Sequence, residues 1–267
     1  MNCVVGHPRS GTTLLARMLN AAGTEVCRHE YLFHLSSMAV PVPTDYYAGR
    51  ASADDVVRLL KHYECTPTPW VRIDSNWKLA WILPVFLSRY PDARVLHLTR
   101  DPRDNVRSCH NLEFYGERFD RPQFDRRRYW LSWMPEIRRD DWAALSPFER
   151  NCAFWAETHR LVQEALIGHP HTHRLRIEDV RDKDARCQVF EFFGVAKPPG
   201  GRDALSVLRP VNAKTRTKLR LRMRDGDTLP SFERWPEVRR ARLEEICGTT
   251  ARRLGYALDG HAWTPSS

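Results

Sequence analysis

Residues 6–13 read Gly6-His7-Pro8-Arg9-Ser10-Gly11-Thr12-Thr13. They follow a short apolar run, Asn2–Val5, and precede a helical pattern with Leu14, Leu15, Met18, Leu19 and Ala22 on one face. A loop so placed offers consecutive backbone amides, the positive end of a helix, the Arg9 guanidinium and the hydroxyls of Ser10, Thr12 and Thr13. Such a set surrounds an anion. The spacing is that of a phosphate loop, G-x-x-x-x-G-K-[ST], with Thr12 where the lysine belongs. That lysine reaches the β- and γ-phosphates of a nucleoside triphosphate. Without it, the loop suits an anionic group at the end of a nucleotide rather than ATP with magnesium. An ordinary Gly-containing turn between strand and helix explains the segment alone equally well.

A second constellation narrows the choice. The apolar run Arg94–Thr99 is followed by Arg100-Asp101-Pro102-Arg103-Asp104-Asn105-Val106-Arg107-Ser108. Arg100 stands at the carboxyl end of an expected strand, where open α/β sheets bind ligands. Ser108 comes eight residues later, about two helical turns along. A guanidinium at the strand end and a hydroxyl on the helix can grip one phosphate together, although taken alone the segment reads better as a solvated helix start with Asp101 as its acidic N-terminal residue.

These residues need a scaffold, and the hydrophobic pattern supplies one. Asn2–Val5, Thr24–Cys27, Val71 with Ile73, Val95–Leu98 and Arg174–Ile177 read as strands. Residues 36–52 lack periodicity and read as a loop. Val56, Val57, Leu60 and Tyr63 predict a short helix, and Leu79–Tyr90 predicts another, stopped by Pro91-Asp92. Pro102 sits well in the first turn of a helix. Glu149–Ile167 reads as a long helix, a further helix ends at Gly194, and Pro236–Leu254 is the last helical region. Strands alternating with helices predict an α/β fold with a central, mainly parallel sheet flanked by helices. We expect one domain over 1–267, and neither repeats nor linkers interrupt it.

Composition bounds the function. The chain has 267 residues, 42 Lys+Arg against 33 Asp+Glu, and a net charge of +9. Only six of the basic residues are lysines. Arginine pairs in bidentate fashion with phosphate-like anions, so an anionic ligand or a nucleic acid accounts for the surplus. The basic residues are spread along the chain and form no recognition motif, which argues against nucleic acid. Seven widely spaced cysteines, without Cys-x-x-Cys, predict neither disulfides nor a zinc cluster, and no metal is expected. The apolar runs are shorter than the ~20 residues of a membrane span, and residues 1–8 lack the features of a secretory signal. Cytoplasmic residence is the expectation.

Together, the two loops resemble sulfotransferases that use 3′-phosphoadenosine 5′-phosphosulfate. Pro8–Thr13 is similar to the family's Pro-[Lys/Arg]-Ser-Gly-Thr-Thr loop, and Arg100–Ser108 to its Arg-Asp-Pro-x-Asp-x-x-x-Ser segment, in the same order and about 90 residues apart. Ile177-Glu178-Asp179-Val180, then Phe190 to Val195, resemble the family's Tyr-Glu-Asp-Leu and Phe-Leu-Gly-Leu. Phe232-Glu233-Arg234-Trp235 and Leu254-Gly255-Tyr256 resemble the bacterial and Golgi branch. Ile177 departs from the tyrosine that lies near adenine in some relatives, and the basic lid of cytosolic animal enzymes is absent as such. Lys214, with Arg216 and Lys218, stands nearest to it.

The resemblance implies a P-loop-like fold and a metal-independent transfer of a sulfuryl group to a hydroxyl, or an amine, of a carbohydrate, lipid or natural product. It implies that Pro8, Arg9, Ser10, Gly11, Thr12 and Thr13 hold the 5′-phosphosulfate and that Arg100 and Ser108 bind the 3′-phosphate. Arg9 would stabilise the leaving oxygen, Glu30 would take the acceptor proton, and Lys78 would face the sulfate. His29, His34 and, more weakly, His110 are alternative bases. From the residues alone, Glu30 reads equally as an exposed carboxylate pairing with Arg28, and Lys78 as a surface lysine. Residues 111–148, with Arg118, Arg121, Arg126, Arg127, Arg128, Tyr129, Trp130 and Trp133, would meet the acceptor, or form a solvated arginine face. The competing readings are a P-loop kinase-like enzyme and a nucleotide-binding protein without catalysis.

Overall fold

The structure, a computed structural model, describes residues 1–36, 41–65, 68, 70–116, 135–198 and 228–258, apart from the side chains of 33 and 34. Five strands form one sheet: β1 (Asn2–Gly6), β2 (Cys27–His29), β3 (Ile73–Ser75), β4 (Val95–Thr99) and β5 (Thr172–Arg176). Their order is β2-β3-β1-β4-β5, and each neighbouring pair is parallel. The expected fold class is therefore the observed one.

Alternation along β1 and β4 decides what packs on each face. Val4, Leu96 and Leu98 point to the side covered by α1 (Thr12–Leu19) and the helix Lys183–Phe193, meeting Leu15, Met18, Leu19, Val189 and Phe190. Cys3, Val5 and Val95 point the other way, toward α4 (Ala53–Leu60), α5 (Leu83–Arg89) and α7 (Pro147–Ala165). Between them in chain order lie α2 (Tyr31–Leu35), α3 (Pro41–Tyr47) and α6 (Pro102–His110). The helix Lys183–Phe193 is α8, and α9 (Glu237–Arg253) packs on α7 through Leu243, Cys247 and Ala251 against Phe148, Cys152 and Trp155. Gly6 lies in β1 where a Cβ would fall 2.1 Å from the Leu98 carbonyl oxygen, so the close approach of β1 to β4 requires glycine.

Local chemistry sets the element ends. Pro102 and Pro147 occupy first turns, and Ser146 with Glu149 forms a capping box on α7. Gly194 ends α8 in the left-handed conformation, as expected. Three expectations are corrected. Residues 41–47 of the expected loop form α3, with Val42, Pro43, Thr44 and Tyr47 buried. The second strand runs Cys27–His29 rather than Thr24–Cys27, because Asn20 at the end of α1 accepts from the Val26 and Cys27 amides and donates to the Cys27 carbonyl. The predicted helix Leu79–Tyr90 is divided into a 3-10 turn, Trp77–Trp81, and α5, since Pro84 fits only a first turn. No helix among the described residues is long and apolar enough to cross a membrane.

Candidate functional site

Because the sheet is parallel, all five strands end at one edge, and each delivers a sequence-selected residue there. Arg9 follows β1 within the first loop, Glu30 directly follows β2, and Lys78 comes just after β3. Arg100 directly follows β4, and Ile177 directly follows β5. This is the edge at which open α/β sheets hold ligands.

The first loop is held in a shape that only some residues tolerate. Arg9 has φ 68° and Gly11 φ 101°. A Cβ on Gly11 would also come 2.5 Å from Ile177 Cδ1, so Ile177 closes on the loop at the place where glycine is required. Pro8 and Ser10 are buried; the Ser10 amide donates to the His7 carbonyl at 3.1 Å, and Ser10 Oγ accepts from Asn105 Nδ2 at 3.0 Å. The Ser10 hydroxyl thus braces the loop against α6. Thr12 is buried and its carbonyl accepts from Ser75 Oγ at 2.8 Å, whereas Thr13 is half-exposed in the first turn of α1. Among the described residues no side chain caps α1, which leaves its first amides as donors for another partner. Left-handed residues flanking Ser10, an uncapped helix end and a nearby guanidinium make up a donor set that fits a phosphate-type anion.

The second loop is tied to the first. Arg9 Nε donates to Ser108 Oγ at 3.2 Å, and the Arg100 guanidinium donates to the Arg9 carbonyl at 2.9 Å. Arg9, Arg100 and Ser108, chosen from two separate sequence segments, therefore form one cluster. The exit of β4 is clamped from three sides. Trp155 Nε1 donates to the Arg100 carbonyl, the Asp101 side chain caps α6, and the Asp101 amide donates to Glu178 Oε1 at 3.0 Å. Tyr256 donates to the other Glu178 oxygen at 3.2 Å, and burial pushes the Glu178 carboxyl up from its ordinary value.

The acceptor-proton candidates occupy the adjoining part of the edge. Glu30 takes φ 53°, with its amide donating to the Ser75 carbonyl at 3.0 Å. Its Oε1 accepts from Trp77 Nε1 at 2.9 Å. Arg28, the partner expected from the sequence, pairs instead with Glu25 at 2.7 Å. Lys78 is not a surface lysine: it is 1% exposed, its Nζ lies 5.4 Å from the Trp77 ring centre, and burial lowers its pKa against the opposing pull of Glu30 and Asp74. His29 Nδ1 bonds the Ser75 carbonyl at 2.9 Å, which ties that ring to β3. His110 lies in the last turn of α6, edge-on to Phe148. The His34 side chain, Lys214, Arg216, Lys218, and within 111–148 the residues 117–134, lie outside the described residues. The described flanks of that segment bring Tyr115, Ile137 and Leu145 onto an aromatic cluster of Tyr47, Trp77, Trp81 and Phe154.

Several residues in this site escaped the sequence reading. Asp74 is fully buried and accepts from the Tyr31 and Leu32 amides and from Tyr63 Oη, pinning α2 behind Glu30. Asn105 and Trp77 show themselves only through contacts. Beneath the first loop lies a column of buried histidines: His97 Nε2 meets His159 Nδ1 at 2.9 Å, and the His7 ring stands 6.4 Å from that of His159. Burial lowers the His7 and His97 pKa to about 3 and lowers that of His159 as well, so these rings are neutral. No group of three or more metal-ligating side chains occurs among the described residues.

A sequence profile described as "Sulfotransferase domain" matches residues 3–189. No curated protein matches the chain in sequence. Among solved structures, the fold is similar to the "Sulfotransferase Domain from the Curacin Biosynthetic Pathway", at TM-score 0.55 and 14% identity over 96% of this chain and 98% of that one. It is also similar to a sulfotransferase from Mycobacterium avium, at TM-score 0.53 and 15% identity over 97% of this chain and 78% of that one.

Proposed function

The chain belongs to the sulfotransferase domain family, and from that premise we propose that residues 1–267 form one unit that transfers a sulfuryl group from 3′-phosphoadenosine 5′-phosphosulfate to an acceptor hydroxyl. The observation that carries the reading is the joining of two anion-binding loops into one cluster, with Arg9 on Ser108 at 3.2 Å and Arg100 on the Arg9 carbonyl at 2.9 Å. The donor, when bound, supplies an activated sulfuryl group on a nucleotide that carries phosphate at both the 5′ and 3′ positions.

The residues divide the work by position. The uncapped amides of α1, with Thr12 and Thr13, hold the 5′ end, and Arg9 neutralises the charge that grows on the leaving oxygen. Arg100 and Ser108 bind the 3′-phosphate. Ser10 acts through its bond to Asn105, which keeps the loop in shape. Glu30 takes the acceptor proton, and buried Lys78 lends positive charge beside it. The flanks of 111–148 on the aromatic cluster that contains Trp77 favour this segment as the acceptor wall.

The test has two arms. 3′,5′-Adenosine bisphosphate without metal should raise the melting temperature more than ATP with magnesium. The reverse order would favour a kinase-like enzyme. Labelled sulfate donor is then offered with a panel of 2-naphthol, a monosaccharide, a long-chain alcohol and a tyrosine peptide. Transfer to one of them, abolished by Arg9→Ala in a folded protein, supports the reading. Nucleotide binding with no transfer to any acceptor would leave a binder and overturn it.

A further inference from the structure

Glu30 is held from two directions by one short stretch of chain. Its backbone amide donates to the Ser75 carbonyl, and the next two amides, Tyr31 and Leu32, donate to the Asp74 carboxylate at 2.8 and 3.0 Å. Its side chain is held from the same exit of β3, by Trp77 Nε1 on Oε1 at 2.9 Å. Trp77 cannot easily yield this position. It is 3% exposed, packs edge-on against Phe154 with ring centres 5.8 Å apart, and belongs to a cluster with Trp81 and Tyr47. A buried indole N–H left without an acceptor carries a desolvation cost, so the bond is favoured from the tryptophan side too.

We propose that Trp77 is a positioning residue for Glu30: its indole N–H fixes Oε1 and leaves Oε2 as the atom that takes the acceptor proton. The inference rests on the assignment of Glu30 as base. The chemistry explains why an indole serves here. It is a donor only and does not titrate near neutral pH, so it orients the carboxylate without competing for the proton. A lysine or histidine in its place would exchange protons with the base. The left-handed Glu30 backbone, the Asp74 anchor and the Trp77 bond together leave the carboxylate little freedom, and positioning of this kind contributes directly to turnover.

The experiment compares Trp77→Phe, Glu30→Gln and the double variant, using whichever acceptor of the panel above turns over fastest. Phenylalanine keeps an aromatic ring in the cluster and removes the N–H. Glutamine keeps an acceptor oxygen for Trp77 and removes the base. Trp77→Phe should lower kcat about 10- to 100-fold, as expected for loss of a hydrogen bond to a charged group. KM for the acceptor and affinity for 3′,5′-adenosine bisphosphate should change less than about twofold, a split that a general loss of structure would not give. In the Glu30→Gln background, the same substitution should cost nothing further. In 15N-tryptophan-labelled protein, the indole resonance absent from Trp77→Phe should move in Glu30→Gln relative to the parent, a readout that needs no acceptor. If Trp77→Phe does not fold, a benzothienylalanine at position 77, with sulfur in place of N–H, keeps the ring shape. A parental kcat in Trp77→Phe, or an equal loss in both backgrounds, overturns the positioning role while Glu30 stands. A parental rate in Glu30→Gln overturns the base assignment itself.

Discussion

The buried histidine column under the first loop should make the protein sensitive to mild acid, by an amount that follows from burial. His7 and His97 fall to about 3 and His159 is lowered too, whereas an unfolded chain returns each ring to about 6.5. Below pH 6.5 the unfolded state therefore binds more protons than the folded state, and stability falls as pH falls from about 6.5 toward 3. At pH 5 the folded His7 and His97 rings are still neutral, so their loss depends on the unfolded value alone. It is about 2 kcal/mol for each of these two rings, at 1.36 kcal/mol per pH unit, and His159 acts in the same direction. The double substitution His97→Gln/His159→Gln replaces two rings with amides that can still donate and accept across their 2.9 Å contact. The parent should lose at least about 2 kcal/mol more than this variant between pH 7.5 and pH 5, the His97 share alone, against the roughly 5–15 kcal/mol by which domains are stable. Scanning calorimetry at the two pH values should show this as a drop in melting temperature at least about 5 °C greater for the parent. Asp74 and Glu178, both raised by burial, act in the opposite sense, and comparing variant with parent removes their contribution. Equal losses in parent and variant would refute neutral burial of His97 and His159.

Two further outcomes follow from the loops. Gly11→Ala places a Cβ at φ 101° and 2.5 Å from Ile177 Cδ1, which should cost about 1–2 kcal/mol for the backbone conformation plus the clash. Adding Ile177→Ala should recover only the clash, and a single variant as stable as the parent would contradict the loop geometry. Ser108→Ala should weaken 3′,5′-adenosine bisphosphate binding about tenfold and 5′-AMP binding less than twofold, measured by calorimetric titration. Equal weakening of both would remove Ser108 from the 3′-phosphate and leave it only as a partner of Arg9.

What the sequence discloses of this molecule is what depends on local pattern. β1, β4, α6, α8 and the two loops were readable because apolar alternation, first-turn prolines and a left-handed glycine act within a few residues. The break at Pro84 is a local signal read too weakly, and the other misses lie where side chains outside the element decide. α3 has two prolines and no period, and its buried face exists because the Trp77–Trp81 turn packs on it. β2 starts three residues late because one side chain, Asn20, holds the Val26 and Cys27 amides. The same division runs through the site. Arg9, Arg100 and Ser108 stand in motifs, so their types and spacing expose them. Asn105, Trp77 and Asp74 carry no motif; they matter through single hydrogen bonds to Ser10, to Glu30 and to the start of α2. A residue that touches a charged ligand must be of one type at one spacing, which leaves a trace in the sequence. A residue that holds such a residue in place need only supply a donor or acceptor from somewhere nearby. Its identity is set by the fold, and only coordinates reveal it.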